Sequence, residues 1–179
     1  MKKLLFIVII ASFTLMQVNG QESTFKKGES VLNLGIGLGS SYYSGFYTSR
    51  APAISASYEV GVVDGVLEKG SIGVGGYVGY ASGKYSNYWK TSNFLIGARG
   101  SFHYPLVDKL DTYTGLLLGY NVYSTKYYDA YYGGASASAS SPALAWFAGA
   151  RYYFSDNFAG MAEIGYGIAY LTLGVSLKF

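Results

Sequence analysis

The last ten residues, Tyr170-Leu171-Thr172-Leu173-Gly174-Val175-Ser176-Leu177-Lys178-Phe179, alternate without a break. Leu171, Leu173, Val175, Leu177 and Phe179 fall on one face, and Thr172, Gly174, Ser176 and Lys178 on the other. Period two over that length is a β-strand, because successive side chains leave an extended backbone in opposite directions. In water an edge this apolar on one face invites aggregation. In a bilayer it has the length of a transmembrane strand, roughly 9–11 residues. The possible folds then depend on whether the chain holds enough similar strands to close a barrel.

Seven more stretches alternate. In 30–39, Leu32, Leu34, Ile36 and Leu38 oppose Asn33, Gly35, Gly37 and Gly39. Similar patterns occupy 53–62, 71–81, 91–104, 112–123, 143–154 and 158–165. Longer aromatic loops at 40–51, 82–90 and 124–142 alternate with shorter turns at 63–70, 105–111 and 155–157. All long loops therefore fall at one end of an up-and-down meander, which is the transmembrane barrel pattern. The connection at 166–169 departs from it, being short on the long-loop side. Asp64-Gly65 reads as a hairpin turn. We expect an all-β, eight-stranded antiparallel transmembrane barrel.

Composition agrees. Of 179 residues, 25 are Gly and 20 are Tyr, a mixture poor in helix formers and suited to strands. The absence of cysteine removes thiolate catalysis and Cys-ligated metals. A net charge of +3 is too small for a nucleic-acid partner. Lys2 and Lys3 precede an apolar run too short to span a bilayer, so 1–20 reads as a cleaved secretory signal peptide. Residues 21–29 read as a short polar periplasmic leader, and 30–179 as the barrel.

The bulky residues of each strand would overfill an eight-stranded interior. Turned outward they meet lipid, and the Gly, Ser and Thr set faces a narrow lumen filled by side chains. Tyr104, Tyr152, Phe154, Phe158 and Phe179 gather at the turn end, and Tyr80, Tyr120, Tyr166 and Trp146 toward the loop end. Two such girdles anchor a barrel at the two interfaces.

The signal segment, the eight alternating strands and the closing Val175-Ser176-Leu177-Lys178-Phe179 together resemble small outer-membrane barrels of the OmpA/OmpX-like type. The resemblance implies a monomer in the bacterial outer membrane. Phe179 looks like the signal read by the barrel-assembly machinery. No peptidoglycan-binding domain follows Phe179 in this sequence, so a cell-wall tether is not expected. Some relatives of this type modify lipids with a loop-end serine–histidine group.

Glu59, Arg99, Arg151, Glu163 and Lys178 share the inner face, and Arg151 and Glu163 are expected to be diagonal neighbours that pair. Unpaired charges in a narrow interior are costly, so these five read as a lumen network. His103, the sole histidine, falls near the turn end with Ser101 beside it and reads as a hydrogen-bonding residue, not a catalyst. No catalytic cluster, cofactor fingerprint or metal-ligand spacing is found. The glycines at 35, 37 and 39 precede no helix and read as space-savers. Tyr42, Tyr43, Tyr47, Tyr88, Trp89, Tyr127, Tyr128, Tyr131 and Tyr132 share the loop end and are candidates for contact with an extracellular ligand. The expected function is structural or surface recognition. The alternatives are a narrow passive channel and a lipid-modifying enzyme.

Overall fold

The computed structural model describes residues 24–42, 48–86, 88–128 and 134–179. The segment read as a signal peptide lies outside them. In chain order the strands are β1 (Ser30–Leu38), β2 (Ser49–Arg50), β3 (Ala53–Val66), β4 (Gly70–Tyr85), β5 (Trp89–Val107), β6 (Leu110–Tyr127), β7 (Ser136–Tyr153), β8 (Phe158–Gly165) and β9 (Leu171–Lys178). β2 is a two-residue addition to the loop end of β4. The other eight pair in sequence, each antiparallel to the next, and β9 returns to pair with β1. The ring is closed and up-and-down. At the seam Ser30 and Phe179 exchange backbone hydrogen bonds of 3.1 and 2.9 Å.

The side chains divide as the alternation requires. Leu173 is 51% exposed and Ser176 is 0% exposed on the same strand. Leu34, Ile36, Ile54, Ile96, Leu116, Leu118 and Leu144 all look outward. Aromatic contacts line the turn end, with Tyr152–Phe154 ring centroids 5.6 Å apart and Phe154–Phe158 6.2 Å apart. At the loop end Tyr166 and Tyr170 are 6.3 Å apart. Burying this outer surface needs a hydrocarbon medium, since in water it would be an apolar patch around the whole wall.

Several strand ends differ from the sequence reading. The segment 105–111 is mostly strand, and only Asp108 and Lys109 turn. The segment 124–142 likewise belongs largely to β6 and β7. In both places a proline lies inside a strand. Proline lacks an N–H, but it is tolerated where a strand has no neighbour on that side. Pro105 lies beyond the last β4–β5 pair, Ser71 with His103, and Pro142 lies beyond the last β7–β8 pair, Phe147 with Gly165. Asp64-Gly65 is not the hairpin loop either. It forms a bulge at the end of β3, with Gly65 at φ +73°. The reversal falls on Leu67 and Glu68, at φ 52° and 75°. Asp64 instead accepts a hydrogen bond of 2.6 Å from the Lys27 backbone N–H.

That bond belongs to a second difference. The described part of the polar leader, residues 24–29, is docked into the turn-end mouth. Phe25 is 0% exposed, its carbonyl accepts from Ser71 Oγ at 2.7 Å, and Gly28 N–H donates to the Gly61 carbonyl at 2.9 Å. A Cβ on Gly61 would collide with the Lys26 carbonyl, so the docking requires glycine there. The short connection after β8 has a matching role at the other end. It folds inward, burying Ile168 and Ala169, while Ser40 and Ser41 hydroxyls donate to the Gly167 carbonyl at 3.2 and 2.9 Å. It is short because it caps the lumen.

Candidate functional site

Two places collect the chemistry: the lumen and the loop-end rim. Within the lumen, inward positions of β3, β5, β6 and β7 meet behind Phe25. Arg151 donates to Glu59 Oε2 at 2.8 Å and to Asp111 Oδ2 at 2.9 Å. His103 lies between the same two carboxylates, with Nδ1 2.9 Å from Asp111 Oδ1 and Nε2 3.0 Å from Glu59 Oε1. The guanidinium carbon of Arg151 lies 4.4 Å from the centre of the Tyr113 ring, and the Phe25 and His103 rings are 4.4 Å apart. Deeper in, Arg99 donates to Glu163 Oε2 at 2.9 Å and to Ser57 Oγ at 3.2 Å, with Phe147 3.8 Å below its guanidinium. Tyr113 donates to the same Glu163 oxygen at 3.1 Å. Ser176 and Asn33 extend this chain at 2.6 and 2.9 Å.

Four of the five residues read as a lumen network are therefore in it, with two corrections. Arg151 and Glu163 are diagonal by register, but they do not pair: each has a better partner across the lumen. Lys178 stands apart at the turn-end mouth, 3.5 Å from Glu29 and 5.0 Å above the Tyr153 ring. Asp111 was missed because it follows Pro105 and looked like part of a turn. His103 does hydrogen-bond in the lumen.

Ser101, His103 and Asp111 have the composition of a hydrolytic triad, and Ser101 Oγ is 3.3 Å from His103 Nε2. The geometry does not let them act as one. Nε2 is closer to Glu59 Oε1, at 3.0 Å, than to Ser101 Oγ, at 3.3 Å, so the nitrogen that would serve as base is already engaged by a carboxylate. A ring held by carboxylates on both nitrogens is not placed to take the serine proton. All three residues are buried. The lumen sets three acidic side chains, Glu59, Asp111 and Glu163, against three basic ones, Arg99, His103 and Arg151.

Above the ions the interior turns apolar. Tyr77, Leu95, Leu117, Phe147 and Ile168 form one cluster, so the inner face holds a packed apolar layer besides its Gly, Ser, Thr and charged residues. The residual cavity there is ≈ 30 Å³, about the share of one water molecule in the liquid.

At the rim, β4 to β7 rise past the ends of their shorter neighbours. The Tyr85 and Trp89 rings stack at 4.4 Å, Tyr88 lies 6.1 Å from Tyr85, and Tyr128 N–H donates to the Tyr88 carbonyl at 2.7 Å. Tyr127 faces Trp89 across the ladder. Tyr88 and Tyr128 are exposed by about half, whereas Tyr42 turns toward the lumen cluster. Burial pushes the Tyr42 hydroxyl above its ordinary range, and Tyr166 adds to the effect. Tyr43, Tyr47, Tyr131 and Tyr132 lie outside the described residues.

No protein-family model and no curated protein matches the chain. Solved structures do. Ail, the attachment invasion locus protein of Yersinia pestis, superposes with a TM-score of 0.52 at 17% identity, covering 86% of this chain and 99% of that one. A de novo designed transmembrane β-barrel superposes at 0.55 with 16% identity, covering 86% and 98%. The chain has the transmembrane β-barrel fold. In that fold the outward Leu, Ile and Val surface of this chain is the lipid-facing wall, and the two ends are its interfaces.

Proposed function

We propose that this barrel resides in a bacterial outer membrane as a monomer and acts through its loop-end rim, in a structural or surface-recognition role. The observation that carries this reading is the blocked lumen. Phe25 closes one end, the Gly167–Ala169 segment closes the other, and ion pairs and apolar side chains fill the middle. The accessible chemistry is then at the rim, where the Tyr85–Trp89 stack supports exposed Tyr88 and Tyr128. Aromatic surface backed by a rigid sheet suits contact with a partner. A similar fold, Ail, the attachment invasion locus protein of Yersinia pestis, has been solved in complex with the heparin analogue sucrose octasulfate (TM-score 0.53, 18% identity, 86% of this chain and 99% of that one). We assign the 1–20 segment to export and exposed Phe179, at the β1–β9 seam, to recognition by the assembly machinery.

Adhesion of cells displaying the protein to immobilised heparin tests the reading. Removing 128–135 should abolish adhesion while the barrel still shows heat-modifiable gel migration. The cut must stop there, because 124–127 and 136–141 are strand. Adhesion that survives this deletion combined with Y88A, in a folded barrel, rejects the aromatic rim as the working surface. A passive channel is the second reading, and the filled lumen weighs against it. A lipid-modifying enzyme would need a free base at the loop end, and His103 is neither free nor at that end.

A further inference from the structure

The outer wall below the rim carries an ordered pattern that the fold does not require, and of its lysines Lys126 lies 5.7 Å from the Tyr128 ring of the rim. Register places Tyr80, Phe94 and Val122 side by side on β4, β5 and β6, all facing outward. One outward step higher, Ser82, Ser92, Ser124 and Ser138 form a row across four strands. One step above that, Lys84, Lys90 and Lys126 stand directly opposite one another. Like charges opposite each other on adjacent strands repel. Among the described residues none of the three pairs with a carboxylate, and every described carboxylate lies at the turn end or inside the lumen. The row spans two strand spacings, about 9–10 Å. It sits four residues beyond the last apolar row, about 13 Å along the strand and roughly 10 Å along the membrane normal at a barrel's usual tilt. That is the depth of lipid headgroups.

We propose that this serine–lysine wall is a binding site for the phosphate of an anionic lipid headgroup in the adjoining leaflet. The acyl chains lie on the Tyr80–Phe94–Val122 surface, the serine hydroxyls donate to ester or sugar oxygens, and the lysine row closes on the phosphate. The occupant is a lipid because the same strands continue straight into the apolar wall, so a molecule held by both must be amphipathic. The site depends on the barrel's spanning a bilayer, not on any role of the rim in adhesion.

Native mass spectrometry tests it on the full barrel released from nanodiscs of mixed phosphatidylcholine and phosphatidylglycerol. The wild type should retain phosphatidylglycerol in preference to phosphatidylcholine. Each Lys→Gln change should weaken retention by roughly five-fold, as expected for one lysine near an anionic surface, and the K84Q/K90Q/K126Q triple variant should lose the preference. A K69Q/K109Q variant, altered at the turn end, should behave as the wild type. Heat-modifiable migration verifies that each variant is folded. An unchanged preference in the folded triple variant overturns the proposal. So does complete displacement of the lipid by an equal concentration of inorganic phosphate, which would assign the row to free anions.

Discussion

Replacing Arg151 by leucine would leave Glu59 and Asp111 facing each other across the lumen with only His103 between them. Breaking a buried pair in this way costs about 3–5 kcal/mol, because a charge stays behind without its partner. We expect R151L to lower the urea-unfolding stability of the refolded barrel by that amount. The triple change R151L/E59Q/D111N should recover part of it, since it removes the stranded charges; no recovery would argue against the charge account. Phe25 offers an independent check, because its ring covers His103 from the turn-end side. F25A should destabilise by about 3 kcal/mol, whereas a loose leader would cost nothing. At this scale the sequence was half legible. Glu59, Arg99, Arg151 and Glu163 stood out as charges at inner positions of a period-two pattern. Their pairing did not, because partners are chosen across a lumen whose far walls are remote in sequence: Glu59 and Arg151 are 92 residues apart. Phe25 carried no signal, being one aromatic in a short polar segment without alternation.

Strands behave as units here because each pairs on both sides. A charge on the lipid face of β9 should therefore disturb a seam as well as a side chain. We expect L173R to cost about 2–4 kcal/mol in refolding into lipid, the range for a cation near the bilayer midplane. An equal stability for L173R and wild type would mean that Leu173 does not face hydrocarbon. All eight barrel strands were visible as alternation, and their ends were not. Alternation weakens where a strand leaves the membrane, as in the Ser136–Ser141 stretch of β7, whose outward and inward residues are equally small. Pro105 and Pro142 sit within strands, and a lone sequence does not show which side of a strand has a neighbour. The inward-folded 166–170 connection was noticed only as an anomaly of length; its capping role depends on Ile168 reaching the lumen cluster.

The molecule as a whole is an inverted protein, with hydrocarbon-seeking groups outside and a knot of paired acidic and basic side chains within. Planar-bilayer recordings should show no steady conductance, and F25A alone should not create one, because the Leu95–Leu117–Phe147 layer remains. A steady conductance in the wild type would reverse the order of the two functional readings. The overall shape was the most legible level, since closure, strand number and facing all follow from the period-two pattern. The most direct test uses the absence of native cysteine. Single cysteines placed in turn from Leu171 to Leu177, omitting Gly174, whose added Cβ would collide with the β1 backbone, can be spin-labelled, and their collisions with oxygen and with a water-soluble nickel chelate measured in liposomes. Labels at 171, 173, 175 and 177 should meet oxygen, which concentrates in hydrocarbon, and labels at 172 and 176 should meet neither reagent. Oxygen access at the even positions, or nickel access at 173 and 175, would contradict the outward-facing wall.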